Sequence, residues 1–464
     1  MTDTAPATTS SGAIPDLVKI RPISTDQTID VQTSILEPII SNQTFIKFQF
    51  DNKGILHSNS KLQFSITGTA GKRRFLPLIN GIGAVVNRCV LLAGSKTIAE
   101  VDDWNHFHAY KSMFLSNESK KERETVLTGR VGAYEYDYSD TADNLSSSTL
   151  KLDVNKDYND TALTLPDTLN LDNDQTFQIN LSDLFPFLKQ TQLPLYLMKE
   201  NITVELHLAP AINRFWAEES DTDSAPELTA VQAETMQFDH TKTKFIADYL
   251  IYPQDQMDNY QRQVETAGLT IPYYDYLLTR STLTPATNKL TFTRTLGGAN
   301  RICTKLILAN TNDVKDVNSV DNVYNSQYKT VGDDVTVERL KVQIKYNDRN
   351  LFPRPIENSA LMFNHLQACE GVPPFITKQE WDGTRADGIS ADTVEGYSTR
   401  TALTEAPKNF LAFNLNRGER VNSRGVELEM TMPLADGATY TQRAWLEVAK
   451  VITLKNGRIT CTEA

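Results

Sequence analysis

Phe45-Ile46-Lys47-Phe48-Gln49-Phe50 and, far downstream, Val426-Glu427-Leu428-Glu429-Met430 alternate apolar and polar side chains residue by residue. A period of two sends successive side chains to opposite faces of a strand, so one face enters a core and the other meets solvent or a second layer. Leu62-Gln63-Phe64-Ser65-Ile66, Val204-Glu205-Leu206-His207-Leu208, Leu290-Thr291-Phe292-Thr293 and Val342-Gln343-Ile344 repeat the pattern. Turn-forming stretches such as Asp51-Asn52-Lys53-Gly54 and Asn456-Gly457 separate the runs. Many short strands with turn punctuation and little helix predict an all-β protein of packed sandwiches.

Working outward, the chain has 464 residues, more than one hydrophobic core usually organises. Its halves carry the same features in the same order. Arg88-Cys89-Val90-Leu91-Leu92-Ala93-Gly94 matches Leu340-Lys341-Val342-Gln343-Ile344-Lys345-Tyr346, and each leads to an aromatic, helix-like stretch, Trp104–Phe114 and Leu361–Leu366. Asn201–Leu206 then matches Ser423–Leu428, and Phe245–Ile251 matches Trp445–Ile452. The separation falls from 252 residues (Val90 to Val342) through 222 (Val204 to Val426) to 200 (Phe245 to Trp445). Constant order with shrinking separation predicts one duplicated unit of about 200 residues with loops of unequal length.

A helix is expected between the halves. Pro253 closes a strand, Asp255 can cap the helix, Met257, Tyr260 and Val264 share a face, and Gly268 stops it. The expected organisation is an N-terminal arm (1–28), a first sandwich (29–254), a connecting helix (255–268) and a second sandwich (269–464). The arm, TAPATTSSGAIP in its low-complexity part, buries too little apolar surface to fold alone, so a neighbouring subunit is expected to hold it.

Net charge is −12, which argues against a dominant nucleic-acid-binding role, because phosphate affinity comes from clustered Lys and Arg. Lys72-Arg73-Arg74 and Lys120-Lys121-Glu122-Arg123 are small basic clusters, read as solvated turns or as loops facing nucleic acid or an acidic neighbour. Cys89, Cys303, Cys369 and Cys461 are scattered and read as reduced thiols. No signal peptide is expected, and the uncharged run Phe75–Asn87 is too short to span a bilayer.

Catalytic and binding motifs fail on their chemistry. His106-Phe107-His108 would suit a metal-binding β-barrel, but Ser112 and Met113 stand where that motif needs Glu, and a metal needs three or four convergent ligands. Gly81-Ile82-Gly83-Ala84-Val85-Val86 lacks the third glycine of a dinucleotide loop. Gly68-Thr69-Ala70-Gly71-Lys72 has Ile66 where a phosphate loop needs glycine and Arg73 where it needs Ser or Thr. Asp102-Asp103 and Asp333-Asp334 read as loop acids. No catalytic, cofactor-binding or metal residue is therefore expected.

Leu181-Ser182-Asp183-Leu184-Phe185-Pro186-Phe187-Leu188, then Leu193-Pro194-Leu195-Tyr196-Leu197 and Val204-Glu205-Leu206, resembles the corner ending the first jelly roll of double jelly-roll major capsid proteins. Ala247-Asp248-Tyr249-Leu250-Ile251-Tyr252 with the helix after it resembles that family's bridge, and Val448–Gly457 its last strand. Asn87–Leu92 and Lys345–Arg349 are most similar to the shorter capsid proteins of polinton-like viruses and virophages. The resemblance implies two tandem eight-stranded jelly rolls in a DNA-virus major capsid protein without enzymatic activity or cofactor. It also implies a homotrimer with pseudo-hexagonal outline that tiles an icosahedral shell. Its partners would be neighbouring trimers and penton and minor capsid proteins, with little direct nucleic-acid binding and no membrane span. The place would be the virion, assembled inside the host cell and not secreted. Residues 125–172 and 310–334 would be outward loops. The competing expectations are a carbohydrate-binding tandem sandwich, a metal-binding two-domain enzyme of the cupin type, and a minor capsid protein; Trp104, Trp216, Trp381 and Trp445 lie mostly in apolar patterns, which disfavours sugar-stacking platforms.

Overall fold

The computed structural model describes residues 29–67, 74–75, 80–115, 175–189, 191–209, 217–218, 237–238, 240–284, 289–311, 324, 326, 328, 340–374, 378, 381, 409–415, 418–433 and 439–463. The arm, both basic clusters apart from Arg74, Trp216 and residues 125–172 lie outside the described residues.

The first half supplies β1 (Asp30–Leu36), β2 (Ile40–Ser41), β3 (Phe45–Gln49), β4 (Ile55–Leu56), β5 (Lys61–Thr67), β6 (Arg74–Phe75), β7 (Val86–Ala93), β8 (Lys96–Asp102), β9 (Gln175–Asn180), β10 (Ile202–Leu208), β11 (Ala217–Glu218), β12 (Gln237–Phe238) and β13 (Lys244–Ile251). Helices α1 (Trp104–Ser112) and α2 (Leu181–Leu184) flank β9 in the chain, and α3 (Gln254–Ala267) follows β13. The second half supplies β14 (Leu269–Leu283), β15 (Lys289–Thr295), β16 (Cys303–Thr311), β17 (Lys341–Tyr346), β18 (Arg349–Asn350), helix α4 (Ser359–Glu370), β19 (Leu411–Asn414), β20 (Glu427–Pro433), β21 (Tyr440–Lys455) and β22 (Arg458–Glu463).

Among the described residues the pairing is antiparallel throughout and repeats. In the first half β1, β13, β5 and β9 form one sheet, and β3, β10, β7 and β8 form the other. In the second half the sheets are β14-β21-β16-β19 and β15-β20-β17-β18. Counting the eight principal strands of each half in chain order, both halves have the sheets 1-8-3-6 and 2-7-4-5. The minor strands are additions: β4 and β22 each pair with the far end of the eighth strand, Tyr249–Leu250 and Lys450–Lys455 respectively. The strands matched by sequence order, β7 with β17, β10 with β20 and β13 with β21, hold equal places in the two halves. So do α1 and α4, which both follow the fifth strand.

Alternation is what lets each pair of sheets close. Ile46, Phe48, Phe64, Val204, Leu206, Phe245, Ala247 and Tyr249 point between the first two sheets and are fully buried. Phe48 and Phe245 meet edge to face at 5.6 Å across that gap. Burying each such side chain contributes about 1.5–3 kcal/mol.

Two expectations need correction. Asp255 lies in the first turn of α3 rather than at its cap; Pro253 stands at that cap, where its fixed φ suits the turn. Gly268 does end the helix, with φ +80° and its N–H bonded to Val264 O at 2.8 Å. The stretch 310–334 does not begin as an outward loop, since Asn310 and Thr311 end β16 fully buried, and Tyr324 and Tyr328 are buried as well. Among the described residues no helix is long and apolar enough to cross a membrane.

Candidate functional site

The place where chemistry concentrates is the seam between the two sandwiches. It starts from an edge problem. Among the described residues β8 is the last strand of its sheet, so alternate backbone groups along its outer side have no strand partner there. Side chains of the second sandwich satisfy them. Tyr273 donates its hydroxyl to Ile98 O at 2.5 Å, Asp275 Oδ1 accepts the Glu100 N–H at 3.2 Å, and Trp445 Nε1 donates to Asp102 O at 3.0 Å. Ile98, Glu100 and Asp102 are every second residue of β8, so the second sandwich reads the strand edge in step with its pleat. Lys96 Nζ and the Ile459 carbonyl add a fourth bridge at 2.8 Å.

Helix α1 is driven into this seam. Every residue of it except Lys111 is buried, as expected of a helix without a polar face. Phe107 packs against Tyr276 (4.5 Å) and Trp445 (5.9 Å), and Tyr110 against Phe410 (5.8 Å). Asp103 precedes the helix in the left-handed region, φ 48°. Its carboxylate does not cap α1. It crosses the seam instead, to Arg443 Nε at 2.8 Å and Arg280 Nη2 at 2.5 Å. Asp103 and Arg443 are only 4% and 6% exposed, so this pair is desolvated and each charge depends on the other. Arg443 is also held by the Thr311 hydroxyl.

A second charge cluster lies at the other end of α1. Glu370, the last residue of α4, takes Lys111 Nζ on both oxygens at 3.0 Å and the Tyr110 hydroxyl at 2.9 Å. Lys305 stands 3.6 Å from Glu370 and 3.9 Å from Glu447. Glu447 is closed off by the Tyr276 hydroxyl at 2.8 Å and the Thr304 hydroxyl at 2.7 Å. Burial pushes the Glu370 carboxyl up, but Lys111 and Lys305 outweigh it and hold the group below its ordinary value. Burial likewise opposes the Lys305 charge, and Glu447 and Glu370 overcome that and raise it. Asp275 is different: burial dominates, and its carboxyl stays raised in spite of Lys450 at 2.5 Å. A cleft of about 540 Å³ opens beside this cluster, walled by Lys111, Lys305, Glu370, Glu447, Tyr273 and Phe187 among others. Its charged walls are paired to one another, an arrangement suited to clamping two bodies together.

The motif residues fall elsewhere in role. His106 and His108 lie on α1, where a two-residue step separates side chains by about 200°. His108 stacks on Trp104 at 4.6 Å, and His106 packs on Tyr324 at 5.1 Å. Gly81–Val85 is a single turn of 3-10 helix before β7, with Gly83 against His108 and Trp104. Asp102-Asp103 is not a pair of loop acids: Asp102 ends β8 and Asp103 is the buried anion of the seam. The pairing partners of Asp103 were missed because they lie 177 and 340 positions away. The local signal was Arg443 and Glu447 flanking the apolar run Ala444-Trp445-Leu446.

No model of a known protein family matches the sequence, and no curated protein is similar to it. Solved structures are. The Sputnik virophage structure determined by cryo-electron microscopy superposes with a TM-score of 0.59, at 11% identity, over 97% of this chain and 91% of that one. The mavirus major capsid protein gives 0.55 at 11% identity, over 100% and 96%. The PBCV-1 protein VP54, in the crystal structure fitted into a reconstruction of Sputnik, gives 0.56 at 11% identity, over 97% and 100%.

The fold is the double jelly roll.

With so little identity, what is shared is the course of the backbone from one end to the other. In this double jelly roll the 1-8-3-6 and 2-7-4-5 sheets occur twice, and β8 of the first roll lies against β14 of the second. The charged seam therefore joins two copies of one topology side by side.

Proposed function

We propose that the chain is the major capsid protein of a DNA virus of the virophage type, a structural subunit without catalytic centre or cofactor. In this reading it works as a homotrimer of six jelly rolls, and the trimers tile an icosahedral facet with penton and minor capsid proteins. Its place is the virion. Residues 29–254 and 269–464 act as the two building blocks, joined through 255–268. The carrying observation is the seam. A shell subunit with two jelly rolls needs them locked at one angle, and the plugged edge of β8 with the Asp103 and Glu370 clusters does that. End-to-end likeness to the mavirus major capsid protein, and to the structures of the Sputnik virophage and of PBCV-1 VP54, supports the same reading. Burial at subunit faces is enough for such assembly. Against a carbohydrate-binding role, Trp104, Trp381 and Trp445 are fully buried and offer no stacking platform.

Native mass measurement on the purified chain tests this. A species of three times 52.0 kDa, seen as pseudo-hexagonal particles by negative-stain microscopy, is expected. A chain that stays monomeric at every concentration and salt tried would overturn it.

A further inference from the structure

The seam inside the chain joins fixed parts of one topology. It sets the fifth strand of the first roll, β8, and the helix after it, α1, against the first and eighth strands of the second, β14 and β21. Each roll has both sets of parts, so the seam leaves one of each unused. The unused fifth strand is β18, followed by α4, and the unused first and eighth strands are β1 and β13.

Both unused parts are bare where their counterparts are covered. α1 is buried apart from Lys111, but α4 keeps an exposed stripe at Leu361, Asn364 and Ala368 that runs on to Val372. Leu361 and Val372 are 45% and 48% exposed. On β1, Val31 and Ile35 are 57% and 65% exposed. They stand opposite Leu250 and Ile246 on the outer face of the sheet, since Phe245, Ala247 and Tyr249 of β13 fill the inner one. Among the described residues no strand pairs with the outer side of β1 or of β18. The charges beside these surfaces are opposite in sign. Arg349 of β18 and Arg354 just beyond it are exposed, as are Asp30 at one end of β1 and Glu37 just past the other. The internal seam has the reverse arrangement, with Asp103 on the fifth-strand side and Arg280 and Arg443 across from it. Two bare apolar surfaces flanked by opposite charges suit each other.

We propose that the α4–β18 surface of one copy docks on the β1–β13 face of a second copy, repeating the internal seam between chains. This rests on the homotrimer reading and supplies its contact. The contact joins unlike surfaces, so it runs head to tail, and three copies close it into a ring. Every roll then has its first and eighth strands covered by a helix from the roll beside it.

Ile35→Glu on one surface and Leu361→Glu on the other, both at exposed positions, test this by native mass measurement beside the parent. Each variant alone is expected to need at least about a hundredfold more protein to form the trimer, because the contact would bury an unpaired carboxylate. Mixed at high concentration, the two are expected to form a species of two chains, twice 52.0 kDa, and nothing larger, because each keeps the surface the other lacks. Val31→Glu and Val372→Glu give the same test from separate positions. A trimeric parent whose variants stay trimeric overturns the inference and leaves the homotrimer standing. Variants that melt as the parent does yet stay apart when mixed also overturn it, because the contact would then join like surfaces. A parent that is monomeric throughout overturns the homotrimer and the inference together.

Discussion

Asp103 Oδ2 lies 2.8 Å from Arg443 Nε, and the two residues are 340 positions apart in the chain. One belongs to the first jelly roll and the other to the last principal strand of the second. Both are almost fully buried, so the pair fixes how the two rolls meet while contributing little as a bare attraction. The cost of burying two charges is offset in part by further hydrogen bonds, from Arg280 to Asp103 and from Arg443 to Thr311.

Removing one partner strands the other. Asp103→Ala is expected to destabilise the chain by about 3–5 kcal/mol, because Arg443 keeps its burial and loses its counter-charge. Asp103→Leu with Arg443→Met is expected to cost clearly less than the sum of the single changes. Denaturant unfolding of the four variants in a double-mutant cycle measures the coupling. Simple additivity would show that the pair does not act as a unit.

Acid acts on Glu370. Its folded carboxyl is held below the ordinary value of 4.5 by Lys111 and Lys305. A carboxyl lowered on folding adds stability that is present above its unfolded value and is lost as pH falls through the folded one. The thermal midpoint is therefore expected to drop below about pH 4.5. Glu370→Gln is expected to lose about 2 kcal/mol at neutral pH and to flatten that acid limb. Asp275, raised by burial, works with the opposite sign and gains as it protonates, so it cannot produce the acid loss.

The β8 edge can be opened one bond at a time. Asp275→Ala removes the acceptor of the Glu100 N–H and the partner of Lys450. A loss of about 1–3 kcal/mol is expected, with faster exchange at the Glu100 amide than at its neighbours in β7. Unchanged exchange there would mean that something other than Asp275 covers the edge.

One turn tolerates only glycine. Gly425 has φ +82°, and a Cβ built on it would lie 2.5 Å from Gly297 O. Gly425→Ala is expected to destabilise by at least about 1–2 kcal/mol, from backbone conformation before any clash is counted. A thermal melt of the variant reads this directly.

Much of this molecule could be read without coordinates, because the signals were local. The pleat of a strand forces alternation, so Phe45–Phe50 and Val426–Met430 announce a face and a core by themselves. Equal order of features in the two halves announced the duplication, and the recurring 1-8-3-6 and 2-7-4-5 sheets have the same cause. Gly268 ended α3 as its conformation demands. The seam was another matter. Asp102-Asp103 looks like any acidic turn, and Arg280, Glu370 and Arg443 like surface charges, because burial of a charge depends on what is brought against it from far along the chain. Only the tertiary structure decided that β8 lies against β14, and that contact is what turns scattered charges into a clamp.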